Sequence, residues 1–254
     1  MKLKKFDDLI VGKGIMGSFV AYKLLEKGRK ILIFDDDHEN NCSMNSSGLV
    51  SPISLHNFQM NQFSKKYFDL SIYKKLNEQF KEEISKNVYK VKTFKKEKER
   101  KKFESENKLE NRFLEQLENE TTKKIEIQLE KFCQMKYGIG VIKKEFNLSI
   151  KVNRFLNSFQ NKFEKENFFQ NRKFDFQNIK ILNENIFDST SSSSSSYRFS
   201  YLHDDQLFYF KNVIFCEGHL SSQNPYFSHL PWNLNKGIFN LLFSLFLFYL
   251  VYFF

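Results

Sequence analysis

The sequence predicts an α/β fold built on a Rossmann-like unit, and three observations near its start support this prediction. An apolar run at residues 9–11 is followed at once by three glycines in the spacing GxGxxG. A segment with helical spacing comes next, and a second apolar run occupies residues 31–34. We therefore expect a strand, a glycine turn, a helix and a second strand, which is the order that opens a parallel sheet.

The glycine turn contains Gly12, Gly14 and Gly17, with Ile15 and Met16 between the last two. Gly12 allows a sharp turn off the strand, Gly14 lets a pyrophosphate approach the backbone, and Gly17 allows close packing of the helix. The N-terminus of the helix favours the negative charge of the phosphates. The pattern predicts a dinucleotide site, and the alternative is a structural βαβ unit that binds nothing.

An acidic residue stands where a dinucleotide site needs one. Asp35 ends the second strand, 18 residues beyond Gly17, and Asp36 follows it. A carboxylate at this distance can accept hydrogen bonds from an adenosine ribose. We therefore place Asp35 and Asp36 in the predicted site.

A small polar loop, residues 41–52, follows the acidic strand end and contains Ser43, Asn45, Gly48 and Leu49. With this loop after the glycine turn, the chain resembles FAD-dependent oxidoreductases of the D-amino-acid oxidase and glycine oxidase type. The resemblance implies that the loop lies along the flavin side of the cofactor.

A second matching segment lies far downstream, at residues 213–219, and reads VIFCEGH. It is similar to the returning strand of the same family, whose glycine turn passes under the cofactor, and this implies a role for Gly218. An NAD(P)-dependent reductase is a weaker interpretation, because the serine loop and this segment suit FAD better. The resemblance covers about residues 6–94 and 137–237.

The fold class that we expect is α/β, with a Rossmann-like FAD/NAD(P)-binding domain and a partial second α+β substrate domain. Residues 174–215 are expected to form short strands joined by turns. A mixed-charge insert and a serine-rich loop are expected to be solvated excursions. The expected ranges are 1–60 and 203–237 for the discontinuous FAD-binding domain, 61–202 for the substrate domain, 95–130 for the insert, 189–196 for the serine loop and 238–254 for a hydrophobic tail.

The chain of 254 residues carries a net charge of +10, which raises the question of a nucleic-acid partner. Basic and aromatic residues do not fall into an RNA-binding motif, and Lys, Asn, Phe and Ile are abundant together, as a drifted nucleotide composition would produce. We therefore do not expect nucleic-acid binding as the main function. A tRNA-modifying flavoprotein acting on a wobble-uridine side chain remains compatible with the charge.

The cysteines favour a reducing compartment and therefore a cytoplasmic protein. There are three, Cys42, Cys133 and Cys216, without CxxC spacing, and the five histidines have no metal-ligand spacing. We expect no metal. The first strand begins so early that no signal peptide fits before it.

The end of the chain departs from the family pattern. After residues 236–237 the family has an acidic residue and continues, whereas here Ile238 begins an uncharged apolar segment. We interpret this as a truncation. The alternative is a marginal C-terminal membrane anchor, because 17 helical residues, 238–254, would span ~25 Å of the ~30 Å hydrocarbon core.

The sequence thus predicts an FAD-binding oxidoreductase that transfers a hydride from an amine or amino-acid C–H to the flavin, inactive if the truncation removes the ring-covering part. The cofactor supplies the electron chemistry, and the protein orients the substrate. No catalytic residue can be named from the sequence. The alternative from another class is a noncatalytic, membrane-associated protein that retains a nucleotide-binding fold.

Overall fold

The computed structural model describes residues 2–37, 42–55, 58–60, 69–109, 114–116, 119–131, 135–187 and 196–232. The described residues form two compact units. The first unit runs up to Ser46 and resumes at Val152, and the second runs from Ser47 to Lys151.

Eleven strands and five α-helices fall within the described residues. The strands are β1 (Lys2–Val11), β2 (Ile31–Asp35), β3 (Leu49–Val50), β4 (Ser85–Asn87), β5 (Lys90–Thr93), β6 (Ile139–Ile142), β7 (Leu148–Ile150), β8 (Phe169–Asn171), β9 (Ile179–Phe187), β10 (Ser196–His203) and β11 (Gln206–Phe215). The helices are α1 (Ile15–Glu26), α2 (Ser71–Phe80), α3 (Glu97–Leu109), α4 (Glu120–Glu130) and α5 (Val152–Lys165).

The first unit is built on a six-stranded sheet in the order β8-β2-β1-β11-β10-β9. The strands β8, β2, β1 and β11 are parallel, and β10 and β9 continue the sheet as antiparallel strands. The pairing of β1 with β11 joins the first residues of the chain to residues about 200 positions later, from Lys2 opposite Gln206 to Val11 opposite Phe215. This pairing brings the glycine turn and the downstream glycine segment to the same edge of the sheet.

Both faces of β1 and β2, in the parallel part of this sheet, are buried. Leu9 and Phe34 belong to an aromatic core with Tyr201, Phe208 and Phe210. The residues that alternate with them on β1 and β2 (Ile10, Ile31 and Ile33) have no exposed area. Because side chains alternate between the faces of a strand, burial at successive positions means that both faces are covered.

Helices α1 and α5 pack against each other beside the parallel strands. The Phe19 ring lies 5.0 Å from that of Phe155, and the Tyr22 ring lies 6.0 Å from that of Phe159. The apolar positions of α5 (Phe155, Leu156, Phe159 and Phe163) recur at helical spacing and are all buried, as the sequence predicts. Helix α1 ends before Gly28, whose φ of 69° is the left-handed conformation that terminates helices.

The second unit contains a three-stranded sheet, β3-β7-β4, and a two-stranded sheet, β5-β6. Its helices α3 and α4 come from the mixed-charge region. Phe94 and Phe103 pack together over Gly140, where an added Cβ would lie 2.7 Å from either ring. Ile125 and Leu129 of α4 pack on β6. The charged helices therefore contribute apolar faces to a core, although most of their residues face solvent.

The fold class predicted from the sequence is confirmed: the chain is α/β, with a parallel sheet and a glycine turn between β1 and α1. The prediction for residues 174–215 is wrong in one respect, because β9, β10 and β11 are 9, 8 and 10 residues long rather than short. The sequence divides the chain near residues 60 and 203, whereas the compact units divide at Ser46 and Val152. Assignment of functions to these ranges stays a prediction.

The hydrophobic tail, 238–254, and most of the serine loop, 188–195, lie outside the described residues. Within the part of the chain that the structure describes, no helix is both long enough and apolar enough to cross a bilayer.

Candidate functional site: a glycine turn at the parallel edge

The glycine turn between β1 and α1 is held by hydrogen bonds from two neighbouring strands. The Gly12 amide donates to the Phe34 carbonyl of β2 at 2.8 Å. The Val11 carbonyl accepts from the Cys216 amide, just after β11, at 2.6 Å. Gly12 has φ 100°, a conformation that residues with a Cβ rarely adopt. The turn is therefore fixed at the point where three parallel strands end.

Gly12 and Gly17 allow backbone contacts that any side chain would block. A Cβ on Gly12 would lie 2.4 Å from the Cys216 carbonyl oxygen, and a Cβ on Gly17 would lie 1.9 Å from the Gly12 carbonyl oxygen. Helix α1, the turn and the segment after β11 consequently stack backbone on backbone. Gly17 packs against the turn itself, whereas the sequence argument only placed it against the strands.

Gly14 is the N-cap of α1 and has no side chain that could cap the helix. The amide of Ile15 donates to Ser43 Oγ at 3.0 Å, and a Cβ on Gly14 would lie 2.8 Å from that oxygen. Met16 is 66% exposed. The first amides of a helix have no intrahelical acceptor, so this end can bind an anion or a polar oxygen.

The acidic end of β2 lies beside the turn, as predicted. Asp35 Oδ2 accepts from the Lys13 amide at 2.6 Å, and Asp35 Oδ1 accepts from the Asp37 amide at 2.8 Å. Both bonds fix the orientation of the carboxylate. Because an ionised carboxylate has about four acceptor positions, two remain for a ligand. Asp36 is exposed next to it.

Lys13, which sequence reasoning did not select, is buried in the turn with 7% of its surface exposed. Its ammonium group donates to Asp37 Oδ1 at 2.7 Å and to Gln160 Oε1 at 3.0 Å. It also lies 4.2 Å from the centre of the Phe169 ring, a cation–π distance. The one available signal in the sequence was a lysine between two glycines. The partners of its ammonium group lie 24 or more residues away in the sequence.

The predicted serine loop is divided between the two units. Ser43 and Asn45 belong to the first unit, and Gly48 and Leu49 to the second. Gly48 has φ 66° and its carbonyl accepts from the Ile150 amide at 2.8 Å. Leu49 begins β3 and is 43% exposed. The structure therefore brings Ser43 to the helix start and gives Gly48 a turn conformation.

Gly218 follows β11 with φ 59° and begins a short 3₁₀ helix, Gly218–Gln223. An added Cβ there would have no atom within 4 Å, so the left-handed backbone is what favours glycine. The next residue, His219, has its Nδ1 3.2 Å from the Sγ of Cys42. This contact joins the loop after β2 to the segment after β11.

Cys216 is a packed thiol rather than a reactive one. Burial raises its pKa to about 11, and the neighbouring Glu217 carboxylate adds to the effect. Burial also raises the pKa of Glu217, while a hydrogen bond from Asn224 Nδ2 at 2.6 Å acts in the opposite direction. Because the thiolate is the nucleophile, the protonated thiol of Cys216 is inert at neutral pH.

We therefore predict different reactivity for Cys42 and Cys216. At pH 8 only about one thousandth of Cys216 would be thiolate, given its raised pKa, whereas Cys42 is exposed. Iodoacetamide should alkylate Cys42 at least about tenfold faster than Cys216 in the folded protein. Site-resolved mass spectrometry measures both, and labelling in urea is the control, where the rates should converge. Equal rates without urea would contradict the packed environment of Cys216.

The part of the chain that carries the glycine turn matches a known protein family. The family described as DAO, FAD dependent oxidoreductase, matches residues 7–137, which is more than half of the chain. No curated protein matches the sequence.

Several solved structures share the fold. An L-amino acid deaminase from Proteus vulgaris is 14% identical with a TM-score of 0.57, and the match covers 86% of this chain and 48% of that one. L-Proline dehydrogenase from P. horikoshii is 12% identical with a TM-score of 0.54, covering 91% and 58%. Glycine oxidase from Bacillus cereus is 14% identical with a TM-score of 0.52, covering 86% and 56%.

At these identities the solved structures show a common fold, and the chain spans about half the length of the structures it matches. The family match covers β1 from residue 7 onward, the glycine turn, α1 and the acidic end of β2. The chain therefore belongs to the family of FAD-dependent oxidoreductases.

Proposed function

We propose that the chain binds FAD in its first compact unit and oxidises an amine or amino acid by hydride transfer to the flavin. The observation that carries the proposal is the fixed glycine turn, with the start of α1, which Gly14 leaves without a side-chain cap, on one side and the oriented Asp35 carboxylate on the other. These are the two groups that a dinucleotide requires, one for its phosphates and one for its ribose.

The residues present fit the AMP half of FAD. Gly14 has no side chain to obstruct a pyrophosphate, and the amides at the start of α1 supply donors together with the positive end of the helix dipole. In the present structure Ser43 Oγ takes the Ile15 amide, so a phosphate oxygen would replace or join this hydroxyl. Asp35 would accept from the ribose hydroxyls with the acceptor positions that its two backbone bonds leave.

The proposal also includes the remaining predicted site residues, which are placed by their position in the chain and by the family resemblance. Ile15, Met16 and Asp36 flank the phosphate and ribose positions along the chain. Asn45, Gly48 and Leu49 would lie on the flavin side, as the family resemblance implies, with Gly218 in the returning turn. The contact of each of these residues with the cofactor is a prediction.

We assign the first compact unit to FAD binding and the second to the substrate. The similar structures are named as a deaminase, a dehydrogenase or an oxidase of amino acids, which supports a small amine or amino acid as substrate class. Bound FAD would supply the hydride acceptor. The chain's own contribution is then binding and orientation, through the turn, the helix start and Asp35.

The proposal is tested by the visible absorption of the full chain after incubation with FAD and desalting. A retained flavin band is expected, and anaerobic addition of single amino acids or amines should bleach it for at least one of them. Retention without bleaching by any of a broad panel would contradict the proposed chemistry. A colourless protein recovered from membranes would instead support the noncatalytic, membrane-associated alternative.

We predict that Gly14→Val abolishes FAD retention while the protein still folds. The Gly14 backbone has φ −62°, which valine adopts without strain, and the atom nearest an added Cβ is Ser43 Oγ, which can rotate away. The flavin-to-protein ratio after desalting should fall at least about tenfold, with the melting temperature changed by less than about 3 °C.

The matched control is Gly28→Asn, at the end of the same helix. Gly28 has φ 69° and no atom within 4 Å of an added Cβ, and asparagine tolerates this conformation. This variant should retain flavin as the wild type does. Unchanged flavin content in Gly14→Val would remove Gly14 from the site.

A further inference from the structure

We infer that Lys13 sets the affinity for the cofactor by neutralising the carboxylate of Asp37 next to the phosphate position. This inference rests on the proposed FAD site. It assigns a positioning role to a residue that the glycine spacing leaves unspecified, since the positions between the glycines of the turn carry no fixed residue type.

The geometry ties Lys13 to the acidic strand end at two points. Its backbone amide donates to Asp35 Oδ2 at 2.6 Å, and its ammonium group forms an ion pair with Asp37 Oδ1 at 2.7 Å. Asp37 itself adopts the left-handed backbone conformation, with φ 50°. Lys13 therefore connects the glycine turn to the same loop that orients Asp35.

The ammonium group is also enclosed on its other sides. Gln160 of α5 accepts a hydrogen bond from it at 3.0 Å, and the Phe169 ring of β8 lies 4.2 Å away. The Lys13 side chain is 8% exposed, whereas that of Asp37 is 41% exposed. A buried ammonium group needs such partners, because a charge removed from water without a partner is costly. Lys13 is thus a fixed charge and not a flexible surface lysine.

The positive charge of Lys13 offsets negative charge at the end of β2. Asp35, Asp36 and Asp37 follow one another at the end of β2, and both Asp35 and Asp37 bond to Lys13. The proposed ligand would add a pyrophosphate with two negative charges at Gly14, the next residue of the turn. Like charges within a Debye length repel, and the repulsion is larger where water is partly excluded. Without Lys13, the acidic loop that binds the ribose would oppose the phosphates.

A purely structural role predicts a different pattern of effects. If Lys13 only fills space and pins the loop, neutralising Asp37 would not compensate for its loss. If Lys13 acts as a counter-charge, then removing both charges should restore binding. The two roles are therefore separable by a double-mutant cycle.

The experiment measures the dissociation constant of FAD by the change in flavin fluorescence on titrating apoprotein, together with the apoprotein melting temperature. The variants are Lys13→Met, which keeps the apolar stem, Asp37→Asn, and the double variant. Lys23→Met is the matched control, because Lys23 lies on the exposed side of α1 in an ion pair with Glu26. We expect Lys13→Met to weaken binding by about tenfold or more and the control to change it less than about twofold.

The double variant distinguishes a counter-charge role of Lys13 from a purely structural one. We expect it to bind FAD within about threefold of Asp37→Asn alone, since the uncompensated charge is gone. Wild-type affinity in Lys13→Met, or a double variant as weak as Lys13→Met, would overturn the inference. If Lys13→Met does not fold, Lys13→Gln replaces it in the same cycle with the same expected outcomes. A wild-type chain that binds no FAD would instead refute the proposed function itself.

Discussion

The backbone stacking of Gly17 on Gly12, and of Gly12 on Cys216, is the constraint on which the rest of the first unit depends. The two contacts leave no room for a Cβ, at 1.9 Å and 2.4 Å respectively. They force helix α1 down onto the turn and the turn onto the end of β11. Because β1 and β11 pair over their whole length, the stacking also sets where the last described strand of the sheet ends.

The stacking determines what the edge of the sheet can bind. It places the start of α1, where the Ile15 amide donates to Ser43 Oγ, in the same turn whose Lys13 amide donates to the carboxylate of Asp35. The same turn carries Lys13, whose charge meets Asp37 rather than solvent. In the proposed site, this one short segment would supply donors to the phosphates, orient a ribose acceptor and offset part of the acidic charge nearby.

The order of strand, glycine turn, helix and strand was predictable from the sequence, because the spacing of the glycines reflects local backbone geometry. The sequence also predicted the pairing of the downstream segment with the start of the chain, through the family resemblance. It missed Lys13, because the partners Asp37, Gln160 and Phe169 come together only when β2, α5 and β8 are assembled. Long-range polar contacts of this kind have no periodic signature in a single sequence.

The lengths of β9, β10 and β11 were underestimated for a related reason. The apolar and polar residue types of these strands do not alternate regularly over their whole length. Phe208 and Phe210 are buried against rings of other strands, Phe34 of β2 and Phe6 of β1. The division at Ser46 and Val152 likewise depends on contacts between distant segments. A single sequence carries no direct information about those contacts.

The central claim is that this edge of the sheet holds a cofactor by its AMP half. Titrating the apoprotein in parallel with FAD and with FMN, which lacks that half, tests the claim most directly. The account predicts that FAD binds at least about a hundredfold more tightly than FMN, since FMN lacks the adenosine ribose that Asp35 would accept from and the second phosphate at the helix start. Equal affinity for the two flavins, or binding of neither, would contradict it.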